Sequence, residues 1–593
     1  MQKYICPFLI VFALDGCSSG SQNAPPTVSV SGPAEVIERA PVILQSNAAD
    51  IDGTIESYRW LQVSGPEISP RSYSDQTLEF TAPEVETDQT LVFSLEVQDN
   101  TGARSTSAEW SILVQESLAD LNPLSQSQIT EDDRHASVFI SSFVVDIDPK
   151  LISTVSFLIE PKQTATAAPI FVSTAVESLS QSDSSMIVPI FGLYSDYINT
   201  VTLDLVFVDG SSLSATKEVS VSIYEDNPIN TKVNFPVSQG NKPSFSYFYL
   251  KSRLGLHILD IDGDVRWAAS AAMNTNSSIY DEGAFTVFVD DDMHKLALSG
   301  EMTTSKITQT GLSNIKAHHD VDKGRAGYLV EIDADKEGRS ATIIESLLLE
   351  IDSDGNTIKE WDFGTIFKEL IEGEGYDSSN FVRDGIDWFH MNSAIYDSSD
   401  DSIIASSREN FVVKIDYDSN EVIWLLGDET KHWYVNYPPL QALSLSSSDV
   451  KPIGQHALSL VDGELMLFNN GQFSFNSPDG APQGEVLTSS PASRYKVDLE
   501  SRNAELTWTY DPFIYSDICS SVFRDQSTTN GDYLVHYAAV DRLDQSDPPK
   551  PTRTLIQAID DDRTLLFEFE LQTRFCQTAW QSRPLPELTT GTL

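Results

Sequence analysis

The 593-residue sequence is poor in basic residues, in cysteine and in long apolar runs. Its 38 Lys and Arg residues stand against 88 Asp and Glu residues, which gives a formal net charge of −50 at pH 7. A surface this acidic repels phosphate backbones and anionic lipids, which argues against nucleic acid or a membrane surface as the main partner. The acidity otherwise indicates only a well-solvated surface.

The longest early apolar segment, in MQKYICPFLIVFALDGC, is too short to span a bilayer and ends at Cys17. It resembles a bacterial lipoprotein signal in which LDGC is the cleavage box, so residues 1–16 would be removed and Cys17 would be lipidated. An ordinary secretory signal cut nearby is the alternative. In both cases we expect an exported protein, periplasmic or held at the outer membrane, that meets the membrane through a lipid anchor only.

Cysteine is scarce, with four in the chain, and two of them, Cys6 and Cys17, belong to the leader. In an oxidising compartment the remaining pair, Cys519 and Cys576, predicts one disulfide. After residue 27, the sequence has no CxxC pair, no HExxH motif, no GxxxxGK[ST] phosphate loop and no GxSxG elbow. We therefore expect neither a metal nor another cofactor.

The chain is predicted to be all-β and to contain three domains after a Ser/Gly/Pro-rich tether at residues 17–27. Short alternating strands in residues 28–115 predict an Ig-like β-sandwich, and its DxDG and DNTG turns with Trp60 resemble polycystic-kidney-disease (PKD)-type modules. A second β-sandwich is predicted for residues 118–230. Residues 240–585 predict a β-propeller.

The propeller prediction rests on five segments that each place an apolar strand ending in Asp before a polar turn and a strand that closes on an aromatic residue. The aspartates are Asp260, Asp352, Asp416, Asp498 and Asp560, with spacings of 92, 64, 82 and 62 residues. These spacings suit four-stranded blades with insertions. Calcium loops are the competing interpretation of the turns, but none completes an EF-hand.

Polar side chains gather at the starts of three strands in this region, in KAHHDVD, FHMNSAIYD and GQHALSL. Alignment of the strands puts His319, Asn392 and His456 in register, and alternation along a strand turns His318 away from His319. By the same alternation His390 shares a face with Asn392, while Arg408 ends a second strand nearby. The innermost strands of a propeller line its channel, so five residues are expected to converge there: His319, His390, Asn392, Arg408 and His456.

Three His, one Asn and one Arg with no acidic residue at the same register suit the transfer of an anionic group. Zinc is a rival because imidazole is a favoured ligand, but no obvious carboxylate is present to orient the histidines. A sulfuryl group on a phenol fits the set better, because its loose transition state needs positioned donors rather than a strong base. Neutral imidazole can also attack sulfur and hold the group covalently.

The segments FHMNSAIYD, SSREN and GQHALSLVDGELMLFNNG resemble the core of bacterial aryl-sulfate sulfotransferases, and IVPIFGLYSDYINTVTLDLVFVDGSS resembles their Ig-like N-terminal domain. The resemblance implies six blades, although five repeats are clear, and a possible homodimer. It implies ping-pong transfer of sulfate from a phenolic ester to a phenolic acceptor without an adenylyl cofactor, with His456 as the sulfohistidine. The roles of binding sulfuryl oxygens and moving the proton would fall to His319, His390, Asn392 and Arg408.

We therefore expect two Ig-like β-sandwich domains followed by a six-bladed β-propeller with aryl-sulfate sulfotransferase activity. Two alternatives stay open: a non-catalytic cell-surface propeller that binds a glycan or protein partner, and an aryl sulfatase that uses water as acceptor. The charge of −50 opposes the approach of an anionic donor. We accordingly expect slow donor capture at low ionic strength that improves with salt.

Overall fold

The computed structural model describes residues 22–69, 73–132, 137–225, 229–269, 273–546, 549–572, 575–577, 579–585 and 588. The leader and Cys17, the residue expected to be lipidated, lie outside the described residues. Strands dominate the described part of the chain, which confirms the all-β prediction. None of the helices described there is long and apolar enough to cross a membrane.

The first compact unit, Met1–Pro123 with Val206–Leu213, contains a β-sandwich. Alternation along Pro41–Ala49 buries every second residue from Val42 to Ser46, which is the pattern of a strand with one face on a core. Trp60 lies in that core. The sheets are Thr27–Ser31, Pro41–Ala49 and Thr77–Thr81, and Glu35–Ile37, Ala108–Gln115, Gln89–Asp99 and Ile55–Ser64, with a short helix at Leu118–Leu121.

The second unit, Leu124–Leu205 with Ser214–Leu593, begins with another sandwich. Arg266, fully buried in the sheet that follows, donates to the carbonyl of Gly192 and lies 3.6 Å above the ring of Tyr194, which ties this sandwich to the rest of the unit. Its sheets are Ile170–Ala175, Ile152–Ile159, Tyr197–Phe207 and Ser212–Val221, and Ser180–Gln181, Met186–Phe191, Ile140–Val145 and Ile129–Glu131. Short 3₁₀ turns occur at Gln126–Gln128, Pro149–Leu151 and Val176–Ser178.

Six antiparallel sheets make up the remainder of the second unit. In hydrogen-bonding order, sheet 1 is Gln581–Leu585, Tyr247–Lys251, His257–Asp260 and Val265–Ala268; sheet 2 is Ser278–Asp281, Ala284–Val289, Asp292–Ala297 and Met302–Lys306; and sheet 3 is Leu312–Lys323, Tyr328–Lys336, Ile343–Ile351 and Thr357–Asp362. Sheet 4 is Met391–Asp397, Ser402–Ser407, Val412–Asp416 and Val422–Leu426; sheet 5 is His456–Val461, Glu464–Phe468, Ala492–Asp498 and Asn503–Tyr510; and sheet 6 is Ser521–Arg524, Tyr533–Val540, Arg553–Ile559, Leu565–Gln572 and Thr231–Phe235.

The sheets follow one another in chain order, and the first strand of each contacts the first strand of the next from sheet 2 to sheet 6. Sheet 1 is completed from the end of the chain, since Gln581–Leu585 pairs with Tyr247–Lys251 and also contacts Ser521–Arg524 of sheet 6. Sheet 2 lacks the Asp-turn repeat, which is why the sequence pattern reveals five units where the structure has six sheets.

The repeated aspartates close turns with their own side chains. Asp260 Oδ1 accepts from the backbone N–H groups of Asp262 and Asp264, at 3.1 and 2.9 Å. Asp352 Oδ1 likewise accepts from Asp354 and Asn356, at 2.9 and 2.8 Å. Such Asx turns explain the repeat by local hydrogen bonding, without a calcium ion.

Helices are few and lie between sheets. Asp362 caps the longest, Phe363–Gly373, by accepting from Thr365 N at 3.0 Å. Its buried face joins an aromatic cluster that includes Phe367, Trp388, Phe389 and Trp433. Among the described residues that follow the two sandwiches, the other helical segments are His432–Asn436, Pro438–Ala442 and a 3₁₀ turn at Phe575–Gln577.

Candidate active site

A cavity of about 490 Å³ lies beside the first strands of sheets 3, 4 and 5, next to the middle of Leu312–Lys323 and to the starts of the other two strands. Four of the five predicted site residues line it, and Asn392 does not. The lining residues are Arg253, Asn274, Asn276, Ala317, His318, His319, Glu345, His390, Arg408, His456, Phe475, Ile518, Cys519, Cys576, Gln577 and Trp580. The expected convergence of distant histidines is therefore present among the described residues.

Backbone irregularities at equivalent points aim these side chains. Pairing between the first and second strands slips between Ala317 and Val321 in sheet 3, between Met391 and Ser393 in sheet 4, and between His456 and Ser459 in sheet 5. The backbone is also left-handed at His319, His390 and Ala457, with φ of 55°, 52° and 56°. Bulges of this kind redirect side chains away from simple alternation. Such non-glycine strain is a cost that recurs at functional sites.

His318 and His319 both face the cavity, so the expectation that alternation turns His318 away is wrong. Their Nδ1 atoms lie 2.8 Å apart, a contact in which one ring must donate and the other accept. The ring of His319 lies 4.8 Å from that of His390 and 5.2 Å from that of Trp580. Burial lowers the pKa of His319 well below its usual range, so this ring is neutral.

His390 is held by two carboxylates that the sequence did not reveal. Its Nδ1 lies 2.5 Å from Glu345 Oε2 and 2.6 Å from Asp387 Oδ2. Burial and the charge of Arg408 both oppose protonation, but the two carboxylates outweigh them and raise the pKa of His390 to about 9. No acidic residue was expected at the register of the histidines and none was obvious as their partner; Glu345 and Asp387 reach His390 from outside that register, and His390 is a cation at neutral pH.

Of the two carboxylates beside His390, one could be suspected from the sequence and the other could not. Glu345 belongs to the third strand of sheet 3, where IIESLLLEI places an acid in a buried apolar run. That anomaly was a usable signal. Asp387 lies three residues before His390, in a loop whose shape is set by packing of Trp388 and Phe389 in the aromatic cluster. Sequence reasoning offers no rule for such a loop.

His456 has the opposite electrostatic character. Its Nδ1 lies 2.7 Å from Asn470 Oδ1 and 3.3 Å from the carbonyl oxygen of Gly454. Burial, followed by the charges of His390 and Arg408, lowers the pKa of His456 to about 3. The ring is thus neutral, and with Nδ1 occupied, Nε2 is the nitrogen left for chemistry in the cavity.

Arg408 supplies a second positive charge. It follows strand Ser402–Ser407 and is 6% exposed. Its guanidinium pairs with Glu409 and lies 4.4 Å above the ring of Phe475, while Nε has no hydrogen-bond partner. Lys431 fixes the local backbone by donating to the carbonyls of Arg408 and Glu409 at 3.2 and 3.1 Å.

Asn392 does not share the opening with His390, and that expectation is corrected. The residue is fully buried, and its Nδ2 donates to the carbonyl of Gln455 at 2.8 Å. The bulge at this point separates the directions of His390 and Asn392, so the rule of two-residue alternation fails. Asn392 instead supports the backbone immediately before His456.

A disulfide joins Cys519 and Cys576, as the sequence predicts. It forms part of the cavity wall beside Ile518 and Trp580, which gives the polar site an apolar flank. Phe475 adds a second aromatic surface. The wall therefore suits an aromatic ring next to an anionic group.

Two overlapping groups of side chains have the spacing to hold a metal ion, namely His318, His319 and Glu345, and Glu345, Asp387 and His390. Both groups contain a carboxylate, so the histidines do not lack the acidic partner whose absence from the sequence spoke against zinc. The second group is already satisfied in another way, because protonated His390 balances Glu345 and Asp387 at ion-pair distance. The proton on His390 therefore supplies the positive charge that a metal ion would otherwise supply to Glu345 and Asp387.

Neutral and protonated imidazoles beside a buried arginine, on an all-β scaffold, define a site for a small anionic group attached to an aromatic carrier. Residues 238–581 match the family model for arylsulfotransferase (ASST), residues 140–224 match that for the arylsulfotransferase Ig-like domain, and residues 31–114 match a family model for a PKD domain. The chain belongs to the arylsulfotransferase family. These matches confirm the family, Ig-like and PKD-type predictions made from sequence.

Arylsulfate sulfotransferase AssT of Escherichia coli O6:H1 (strain CFT073) is 22% identical over 476 residues, which cover 62% of this chain and 77% of that protein. Arylsulfate sulfotransferase AssT of Lelliottia amnigena is 21% identical over 479 residues with the same coverage. A marsupial T cell receptor structure is 12% identical with a TM-score of 0.20, and covers 55% of this chain and 100% of that one. A likeness this weak carries no argument.

Proposed function

We propose that this protein is an aryl-sulfate sulfotransferase that moves a sulfuryl group from a phenolic sulfate ester to a phenolic acceptor through a sulfohistidine on His456. The observation that carries the proposal is the pairing, in one cavity, of a neutral imidazole with two cationic groups, His390 and Arg408. A neutral nitrogen is the nucleophile, and fixed positive charge favours the anionic group that it attacks.

The six sheets act as the blades of a six-bladed propeller in this proposal. Support comes from their order in the chain, from the contacts between successive first strands, and from completion of sheet 1 by the C-terminal strand Gln581–Leu585. A C-terminal strand that completes the first sheet in this way joins the two ends of a ring of blades. The first strands then surround the axis, and the cavity is one mouth of the central channel.

In the first half-reaction, the Nε2 lone pair of His456 forms a bond to sulfur while the bond from sulfur to the aryl oxygen breaks. The departing oxygen keeps the bonding electron pair and takes a proton from cationic His390. With a pKa of about 9, His390 is well matched to a phenol, whose pKa is near 10. Arg408 holds the sulfuryl oxygens throughout.

In the second half-reaction, the acceptor phenol loses its proton to neutral His390, and its oxygen attacks sulfur. The bond from sulfur to Nε2 breaks, and the electron pair returns to His456. In both half-reactions the aromatic ring of the donor or acceptor packs between Trp580 and Phe475. These two side chains also limit the access of water to the sulfuryl group. The same site regenerates its starting protonation state, so no cofactor is consumed.

Incubation with p-nitrophenyl sulfate tests the proposal. After a first equivalent that accompanies sulfation of His456, nitrophenol should be released in step with formation of a sulfated acceptor, and this continued release should need an added phenol. Continued turnover without a phenol would indicate a sulfatase, and no release with any acceptor would favour the binding-protein alternative. Both of those results contradict the proposal.

The variant His456→Ala should lose at least about a thousandfold in transfer rate, because no other group replaces a covalent nucleophile. His294→Ala is the matched control, since His294 lies in sheet 2, contacts Thr304 and does not line the cavity. Its rate should equal that of the unmodified protein. A His456→Ala variant with a near-normal rate would remove the assignment of the nucleophile.

Export and lipid anchoring complete the proposal. They are supported by the apolar leader ending in LDGC and by the Cys519–Cys576 disulfide, a bond that persists in oxidising compartments. Expression in a bacterial host with labelled palmitate should label the protein and not the Cys17→Ser variant. Equal labelling of both would refute anchoring through Cys17.

A further inference from the structure

Asn470 is a fully buried side chain whose three hydrogen bonds leave it one orientation. Its Nδ2 donates to the carbonyl oxygens of Ser516 at 2.7 Å and Cys519 at 3.0 Å, which uses both amide hydrogens. Exchanging the amide nitrogen and oxygen would place an oxygen against these two carbonyls and leave them without a donor. Oδ1 is therefore the atom that lies 2.7 Å from His456 Nδ1.

This orientation decides where the proton of His456 sits. The two partners of Nδ1, Asn470 Oδ1 and the carbonyl oxygen of Gly454, are both acceptors without a hydrogen to give. Nδ1 must then carry the proton of the neutral ring. The lone pair lies on Nε2, the other ring nitrogen of this cavity-lining side chain.

We propose that Asn470 is a positioning residue that holds His456 in the tautomer with Nδ1 protonated, so that Nε2 is ready to attack. The inference rests on the proposed function and deepens it. Asn470 is not among the residues that line the cavity, so its effect on the reaction would pass through His456.

The choice of an amide rather than a carboxylate has a chemical consequence. His390, with carboxylates on its Nδ1, is a cation, whereas His456, with an amide in the same position, is neutral. A carboxylate at position 470 would favour a protonated, non-nucleophilic ring. Carboxylates thus hold one histidine of the cavity protonated, whereas an uncharged amide leaves burial and the charges of His390 and Arg408 to keep the other neutral.

The amide also serves the covalent step. When Nε2 bonds to sulfur and the aryl oxygen leaves with its electron pair, the ring becomes positive while Nδ1 keeps its hydrogen. Asn470 Oδ1 accepts from that hydrogen before and after the step, and no proton leaves the ring. Reversal of the bond in the second half returns the lone pair to Nε2.

Two substitutions test the inference. Asn470→Leu removes the acceptor, and transfer should fall by a hundredfold or more in kcat with little change in KM for the donor, since loss of a tautomer-fixing partner costs on the order of 10⁴ in a serine protease. Asn470→Asp keeps an acceptor but adds charge, so activity should be low at acidic pH and recover as pH rises. The rise in rate at the acidic side of its pH profile should occur at a higher pH than in the unmodified protein.

Asn469 provides a matched control next in sequence. It is equally buried, but its side chain bonds to the backbone of Ile453 and Lys451 rather than to His456. Asn469→Asp should lower thermal stability without moving the pH profile. Equal profiles for the two Asp variants, or an Asn470→Leu variant with unchanged kcat, would overturn the positioning role.

Nitrogen-15 NMR of histidine-labelled protein reads the tautomer without any reaction. The His456 resonances, identified by their loss in His456→Ala, should show a protonated Nδ1 and a bare Nε2. A protonated Nε2 in a protein that transfers sulfate would refute this inference and spare the proposed function. If the expected tautomer is found but the protein transfers no sulfate, the proposed function fails and the hydrogen-bonding role of Asn470 stands.

Discussion

Removal of the Glu345 carboxylate should change how the transfer rate depends on pH. The rise in the pKa of His390 from its ordinary 6.5 to about 9 favours the protonated ring by about 3 kcal/mol. Glu345→Gln keeps the shape of the side chain and removes one of the two charges that outweigh burial and Arg408. His390 should then lose its proton at a lower pH.

The size of the effect follows from the protonated fraction. At pH 8 a His390 with a pKa of about 9 is about 90% protonated, whereas one returned to 6.5 is about 3% protonated. Transfer from phenyl sulfate, whose leaving oxygen needs a proton, should thus fall at pH 8, by about thirtyfold for a complete return of the pKa to 6.5 and by less where Asp387 keeps part of the rise. Below pH 6 the two proteins should approach each other, because His390 is protonated in both.

Rates measured from pH 5 to 10 with phenyl sulfate and p-nitrophenyl sulfate check this prediction. The loss should be smaller with p-nitrophenyl sulfate, whose leaving oxygen is less basic. Glu350→Gln, in the same strand but bonded to the backbone of Ala326 and Gly327, is the control and should keep the original profile. A basic limb of Glu345→Gln that coincides with that of the unmodified protein would refute the reasoning.

Three further predictions concern charge and the disulfide. Arg408→Lys should lower kcat/KM for the donor about tenfold to a hundredfold, because an ammonium replaces a flat guanidinium stacked on Phe475; equal values would contradict this. Reduction of Cys519–Cys576, which are 57 residues apart, should lower the free energy of unfolding by up to about 4 kcal/mol in urea titrations, and an unchanged midpoint would argue against it. Donor capture should rise with added salt, since the net charge of −50 repels an anion, and a steady fall would contradict that account.

Much of the site was predictable because its residues occupy equivalent positions in repeated strands. His390 immediately precedes a strand, His456 opens one and Arg408 follows a strand end, whereas His319 lies in the middle of Leu312–Lys323 and not at the expected strand start. Stacked or ring-arranged sheets bring such positions together whatever the detailed geometry. The same reasoning gave the all-β class, the Ig-like domains and the disulfide between the two cysteines left in the folded part.

The remaining features depend on irregular backbone and on contacts between strands. Bulges turn His318 into the cavity and Asn392 out of it, and strict alternation contains no information about them. Glu345 approaches His390 from a strand of the neighbouring sheet, so their pairing depends on how the sheets pack. Sheet 2 was hidden because Ser278–Lys306 lacks the Asp turn, and the completion of sheet 1 was hidden because its first strand comes from residues 581–585.

Trapping the covalent intermediate tests the central claim most directly. The protein would be mixed with a donor in the absence of acceptor, quenched and digested, and the peptides analysed by mass spectrometry. The account predicts one equivalent of released phenol and one SO₃ group on the peptide containing His456, removed again when a phenol is added before quenching. A sulfated residue elsewhere, or turnover with acceptor but no sulfated peptide and no burst of phenol, would contradict it.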